Sequence, residues 1–151
     1  MTRIARLWVI IAGATPIVEV KGAIPMGIAL GYTAFESFLL SLIGNIAMIP
    51  ILLLFLRPVF KILKRNDRIR NILEKLEQRT LKKNEKYLKY SLFGLFLVVA
   101  IPLPGTGVYT GCLAASLLDI RYKYSFPVVI LGAIVSAICI YTLSGFGVGF
   151  H

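Results

Sequence analysis

The sequence predicts an all-α integral membrane protein: an inverted repeat of a re-entrant helical hairpin plus a transmembrane helix, with a cytoplasmic amphipathic helical linker between the repeats. Three observations predict it. The chain is 58% hydrophobic with a mean hydropathy of +0.82, well above the level of a soluble domain. Its apolar stretches are unequal, two long enough to cross a bilayer and two broken in the middle. The order broken stretch, span, basic loop, broken stretch, span then repeats itself.

A helix rises about 1.5 Å per residue, so crossing about 30 Å of hydrocarbon takes about 20 apolar residues. The first stretch, residues 4–30, is broken by Thr15-Pro16 and then by Glu19, Lys21, Gly22 and Pro25. The flanking pieces are about two to three turns each, too short to span, and read as a re-entrant hairpin. Residues 34–56 follow as the first transmembrane helix, with Thr33 and Glu36 as a capping box and Pro50 as an expected kink. These segments make up repeat 1, residues 1–57.

Between Arg57 and Lys89 stand twelve Lys or Arg against four acids, so this segment carries +8 of the net +10. A basic run can signal nucleic acid. Lying between membrane segments, it is read instead as a cytoplasmic loop obeying the positive-inside rule, in contact with anionic headgroups; no nucleic-acid partner is expected. Within the linker, residues 58–87, Ile69, Ile72, Leu73 and Leu76 recur at helical spacing, with Asn66 or Asp67 as the cap. One apolar stripe with basic flanks predicts an amphipathic helix on the inner membrane surface.

Repeat 2, residues 88–151, opens with a second broken stretch, 88–118. Pro102-Leu103-Pro104-Gly105-Thr106-Gly107 cannot continue a helix, which predicts a second re-entrant hairpin. The second transmembrane helix is expected over 125–145, with Ser125 as N-cap and Pro127 in the first turn. A shift of 88 places Pro16 on Pro104, Ala23 on Gly111, Phe38 on Phe126 and Gly44 on Gly132. Each half crosses once, so the second half starts on the opposite side, giving inverted topology. Broken backbone at mid-membrane must be satisfied by protein or by a water-filled cavity, so the two breaks should face each other.

The expected location is a cell membrane, multi-pass, in the plasma membrane of a prokaryote, with loop 57–89 cytoplasmic. The corner carrying Arg121 and Lys123 then lies inside, whereas Arg3 and Arg6 lie outside against the rule. No secretory signal peptide is expected, because Pro16, Glu19 and Lys21 follow the first apolar run without a cleavage site. Cys112 and Cys139 both sit in apolar sequence and read as packing residues. His151 is the lone histidine and no metal spacing exists, so neither metal nor cofactor is expected.

The chemistry concentrates at the two breaks. Glu19 and Lys21 sit in the centre of an apolar segment, where a lone charge costs about 2.5–3.5 kcal/mol. The bland reading is a pair that neutralises itself. The functional reading is that Glu19 exchanges a proton as the site opens to each side, while Lys21 attracts an anionic substrate group. The second break has no charge. It offers backbone N–H groups at a half-helix starting near Val108, which attract anions, together with the hydroxyls of Thr106, Tyr109 and Thr110. Its bland reading is a pure turn. Asn45 is read as interhelical glue, and Gly44…Met48 and Gly132…Ser136 as close-approach positions that could equally serve a dimer. Arg57 and Arg121, near the inner ends of the spans, are expected to snorkel to headgroups or to grip a phosphate.

The motifs Glu19-Val-Lys-Gly-Ala-Ile-Pro25 and Pro102-Leu-Pro-Gly-Thr-Gly-Val-Tyr-Thr-Gly111 are where the chain resembles the small multidrug export protein family, a distant relative of the DedA (VTT-domain) superfamily. The resemblance runs from about residue 10 to about residue 145 and implies two facing re-entrant hairpins with an acidic residue, matched by Glu19, in the first. In the family the place of Lys21 is usually an arginine. Lysine keeps the charge and loses the bidentate fork. DedA relatives are implicated in recycling polyprenyl-phosphate carriers and in lipid scrambling, and the family's name rests on drug export.

The leading expectation is therefore a transporter or flippase for an anionic, polyprenyl-phosphate or other lipid-like substrate, possible proton coupling running through Glu19. The alternatives are a proton-coupled exporter of small amphipathic drugs and a non-transporting membrane scaffold. Lys21 beside Glu19 argues against cationic drugs, and the intramembrane pair argues against a scaffold. An enzyme is not expected, for want of a nucleophile with its base or of metal ligands. Two spans and two hairpins make a thin wall around a polar cavity, so a homodimer in contact with membrane lipids is expected.

Overall fold

Each apolar stretch becomes one helix or two, as its breakers dictate. The computed structural model describes residues 3–80 and 85–147, which form α1 (Arg3–Ala14), α2 (Glu19–Ala29), α3 (Ala34–Leu63), α4 (Asp67–Thr80), α5 (Glu85–Ala100), α6 (Val108–Leu117) and α7 (Tyr122–Gly147). No strand occurs among the described residues. Of these helices α3 and α7 are long and apolar enough to cross a membrane. By rise per residue α1, α2 and α6 reach only about 15–18 Å, half a bilayer.

The capping box that starts α3 is present: Thr33 Oγ1 accepts from the Glu36 N–H at 3.2 Å, and Glu36 Oε2 accepts from the Thr33 N–H at 3.2 Å. Glu36 is thereby explained as a cap. The helix does not stop near residue 56 but runs through Pro50 and Pro58 to Leu63, so the separate linker is shorter than expected. Each proline removes one N–H and frees the carbonyl four residues back, a defect a long helix survives. At the far end α4 is capped by Asn66, whose Oδ1 accepts from the Arg68 N–H at 3.4 Å and whose carbonyl accepts from the Arg70 N–H at 2.8 Å. Ile69 of its stripe is half-buried and Ile72 exposed, whereas the side chains of Leu73 and Leu76 lie outside the described residues. The second long helix also departs from expectation. It begins at Tyr122, so Ser125 is not its N-cap and Pro127 falls in the second turn. The Ser125 hydroxyl donates back to Arg121 O at 3.2 Å instead.

Packing follows one scheme twice. Helix α1 packs on α2 and α3, as α5 packs on α6 and α7. Across the halves α3 packs on α7, α6 reaches α3 and α2 reaches α7. The boundaries keep one offset: α2 ends at Ala29 and α3 begins at Ala34, while α6 ends at Leu117 and α7 begins at Tyr122, in each case 88 residues later (29 + 88 = 117; 34 + 88 = 122). Helices α2 and α6 even terminate alike. The Tyr32 N–H bonds to Gly27 O at 3.1 Å around Gly31 at φ +87°, and the Ile120 N–H bonds to Ala115 O at 2.9 Å around Asp119 at φ +48°.

Gly44 and Gly132 have matching jobs. A Cβ at Gly44 would stand 2.1 Å from Ile10 O of α1, and one at Gly132 would stand 2.7 Å from Val99 Cβ of α5. Close approach at both glycines is thus used within the chain. The main core joins Ile49 and Leu53 of α3, Leu95 and Val99 of α5, Val108, Cys112 and Ala115 of α6, and Val129 and Ala133 of α7. A smaller cluster seats Val20 and Ile24 of α2 on Ala137 of α7. Trp8, Ile43, Leu54, Phe55, Phe93 and Leu131 face outward and exposed, an apolar exterior suited to lipid.

Candidate functional site

The first break is a short turn. Thr15 holds the end of α1, its N–H and its hydroxyl both donating to Ala12 O, at 3.1 and 2.8 Å. Pro16 and Ile17 are exposed at the tip, and the Glu19 N–H returns to Thr15 O at 3.0 Å. Glu19 itself has φ +45°, left-handed backbone that a non-glycine residue rarely adopts. The strain turns α2 at its first residue, and the Glu19 side chain is carried into the interior, where the residue is 6% exposed.

The second break is longer and is tied to itself. The Thr106 N–H bonds to Leu103 O at 3.2 Å, closing a turn with Pro104 and then Gly105 at φ +83° in the centre, the residue pattern of a type II turn. Thr106 Oγ1 lies 2.7 Å from Ile101 O and 2.8 Å from Leu103 O, sharing its proton between them, and accepts from the Leu103 N–H at 3.2 Å. Thr110 Oγ1 donates to Gly105 O at 2.7 Å. Helix α6 then starts at Val108, as its Gly-rich lead predicts.

The two breaks meet. Glu19 Oε1 accepts from the Tyr109 N–H at 3.3 Å, so the carboxylate occupies the N-terminus of α6. A Cβ at Gly107, which has φ +141°, would stand 2.1 Å from Glu19 Oε2, so only glycine leaves this seat open. Lys21 Nζ donates to Leu103 O and to Thr106 O, and stands 3.5 Å from Thr106 Oγ1 and 3.8 Å from Glu19 Oε2. The Tyr109 hydroxyl donates to Ala14 O, the last carbonyl of α1. Cys112, one turn further along α6, lies within electrostatic reach of Glu19.

This geometry revises several expectations. Glu19 and Lys21 are an ion pair, yet each also binds the opposite break, so self-neutralisation is only part of their role. The α6 N-terminus is not vacant: it holds a carboxylate of the same chain. The hydroxyls of Thr106, Tyr109 and Thr110 are all engaged by backbone carbonyls. Gly22 is half-buried in the first turn of α2, Pro25 is exposed within that helix, Pro102 is half-buried and Pro104 exposed.

Three predicted residues lie apart from this junction or are used otherwise. Arg57 is half-buried, donates to Ile120 O and ties α3 to the α6–α7 corner. Arg121 is exposed on that corner. Asn45 is 3% exposed, and its Oδ1 has no hydrogen-bond partner among the described residues. Sequence reasoning passed over Thr15 as the tie of the first break, although a Thr before Pro is a turn signal. It also passed over Cys112 as a neighbour of Glu19, for which no local signal exists.

A family model described as "Putative small multi-drug export protein" matches residues 19–139, from the first residue of α2 to deep in α7. No curated protein and no solved structure matches the chain.

Proposed function

Because the chain belongs to the small multi-drug export protein family, we propose that it is a membrane transporter that moves an anionic, lipid-like substrate through the junction of its two breaks, with Glu19 exchanging the coupling proton. The observation that carries this reading is the Glu19 carboxylate, buried in an apolar protein and seated on the N-terminus of α6. While ionised it fills the place an external anion would take. Protonation removes its charge and loosens its hold, leaving Lys21 and the α6 N–H groups as an uncompensated positive site. An anion entering from one side then finds that site, and loss of the proton on the other side expels it.

Several features support the membrane arrangement this requires. Four short helices in two packed pairs, each too short to span except marginally α5, suit re-entrant hairpins. The common offset of 88, the like ends of α2 and α6 and the paired glycines support an inverted-topology repeat. The family's kinship with the DedA superfamily makes polyprenyl phosphates the substrate to try first. A homodimer would thicken the wall around the junction, and loop 57–89 would face the cytoplasm. The protein acts by moving its substrate and makes or breaks no covalent bond in it.

A second reading, proton-coupled export of small amphipathic drugs, is favoured by the family's description and by the single carboxylate at the junction. Lys21, 3.8 Å from that carboxylate, repels a cationic drug. Purified protein in liposomes separates the two readings. Flipping of a labelled polyprenyl phosphate that Glu19→Gln abolishes or renders insensitive to pH supports the lipid-like substrate. Efflux of cationic dyes without lipid flipping supports drug export, and full activity with unchanged pH dependence in Glu19→Gln ends the proton role.

A further inference from the structure

We propose that Lys21 and Tyr109 are the two gates of this pathway, one toward each face of the membrane, and that the arrangement described above is its occluded state with both gates shut. The proposal rests on the junction being a transport pathway. It adds which bonds must open, on which sides, and in what order of ease.

Lys21 and Tyr109 occupy matching places in the two halves, since 21 + 88 = 109. Each stands in the first turn of the second helix of its hairpin. Each reaches across to the opposite hairpin and donates to carbonyls beyond or at the end of its first helix: Lys21 to Leu103 and Thr106, Tyr109 to Ala14. Carbonyls at a helix end need a donor, and hydrocarbon supplies none. Leu103 O keeps the Thr106 N–H and hydroxyl, but Thr106 O and Ala14 O take no other donor among the described residues, so either contact can break only as water reaches that carbonyl. In an inverted repeat the pseudo-two-fold axis lies in the membrane plane, so matching contacts sit on opposite sides of it. Water must then arrive from one face for Lys21 and from the other for Tyr109. Glu19 lies between them, on the N-terminus of α6, where either opening exposes it to one face.

The gates are unequal. Lys21 brings a charge, two carbonyl acceptors, a nearby hydroxyl oxygen and a carboxylate. Tyr109 brings one neutral hydroxyl and one acceptor. Charge-assisted bonds are worth roughly twice neutral ones, so the Tyr109 gate opens more readily.

The test uses the full chain with Cys139→Ala, leaving Cys112 as the reporter: it is fully buried behind the junction. A membrane-impermeant maleimide is added to intact cells and, separately, to inside-out vesicles. With Lys21 and Tyr109 intact, Cys112 labels at the same slow rate from both faces. Tyr109→Phe raises labelling about twofold to tenfold from one face, the population change one neutral hydrogen bond supplies. Lys21→Met raises it about tenfold to a hundredfold from the opposite face, the change expected for a charged bond. Lys21→Arg restores protection. Size-exclusion profiles check folding, and Lys21→Gln replaces Lys21→Met should that variant aggregate. Labelling of both variants from the same face, or of neither, overturns the gates. The readout needs no substrate. Opposite-face labelling without measurable lipid or drug transport keeps the gates and removes the substrate reading, whereas transport without side-specific labelling does the reverse.

Discussion

The first break, residues 15–18, ties itself with one threonine and sends two charges away, whereas the second, residues 101–107, spends two threonine hydroxyls and two glycines on its own turn and receives those charges. Both face the same difficulty. A helix that stops in a protein interior frees carbonyls on one side of the break and N–H groups on the other. Break two satisfies Leu103 O within its own turn but leaves Thr106 O and the α6 N-terminus in need of an ammonium and a carboxylate. Break one supplies both, and takes back a single phenol hydroxyl on Ala14 O. The comparison teaches that neither break is complete alone, which ties folding of the junction to the function proposed for it.

The sharpest way to break that complementarity is at the seat of the carboxylate. Gly107→Ala combines backbone at φ +141° with a Cβ 2.1 Å from Glu19 Oε2. The strain alone costs about 1–3 kcal/mol, and the displaced carboxylate adds to it. Loss of transport and a lowered unfolding temperature in detergent are expected. Gly105→Ala is the control in the same break: φ is +83°, but nothing stands within 4 Å of its Cβ, so only strain of about 1–2 kcal/mol applies. Equal effects at the two glycines would mean that the carboxylate does not sit where it is seen.

Glu19→Gln asks how much of the exchange depends on charge. Glutamine keeps an acceptor for the Tyr109 N–H and removes the charge facing Lys21. Liposome transport should lose its pH dependence while the protein stays monodisperse. A variant that is instead unfolded would show the carboxylate to be a structural strut first.

The third comparison is between the two threonine ties. Thr106→Val removes a hydroxyl bonded to Ile101 and Leu103, in the stretch that Lys21 also covers, and should cost about 1–3 kcal/mol. Thr15→Val removes one bond to Ala12 O, which also keeps the Thr15 N–H, and should cost about 1 kcal/mol. Thermal unfolding of both variants in one detergent measures the difference, and a reversed order would contradict the account of which break holds itself.

Much of this architecture was legible because prolines, glycines and helix length speak locally. Pro102 to Gly107 and Thr15-Pro16 announced the breaks, and Thr33 and Glu36 announced a cap. The partners were not legible. That Lys21 reaches Leu103 and Thr106, that Tyr109 reaches Ala14 and that Arg57 reaches Ile120 involve separations of 63 to 95 residues, which no periodicity records. The carbonyls that cover Lys21 lie in the other half, out of reach of any local pattern. The start of α7 was misplaced for a related reason: Ser125 has the chemistry of a cap, but Arg121 O takes its hydroxyl inside an earlier-starting helix.

The smallest expected effect concerns the spans rather than the breaks. The buried stripe of α3 reads Ser37, Ser41, Asn45, and the matching positions of α7 read Ser125, Val129, Ala133. At these matched positions the polar residues continue to Asn45 in α3 but stop after Ser125 in α7, whose next buried polar residue is Ser136. Ser41 donates to Ser37 O at 2.6 Å, but Ser37 Oγ and Asn45 Oδ1 have no partner among the described residues. A buried polar atom with no bond contributes a desolvation cost and nothing in return, so removing it should not destabilise. Asn45→Ala, which gives α3 the residue α7 has at the matching position, should change the stability by no more than about 1 kcal/mol. A loss of several kcal/mol would mean that Asn45 is bonded in the membrane, by water or by a second copy of the chain. If stability holds while transport falls, the orphan oxygen belongs to the pathway, and the asymmetry between the two spans matches the asymmetry between the two breaks.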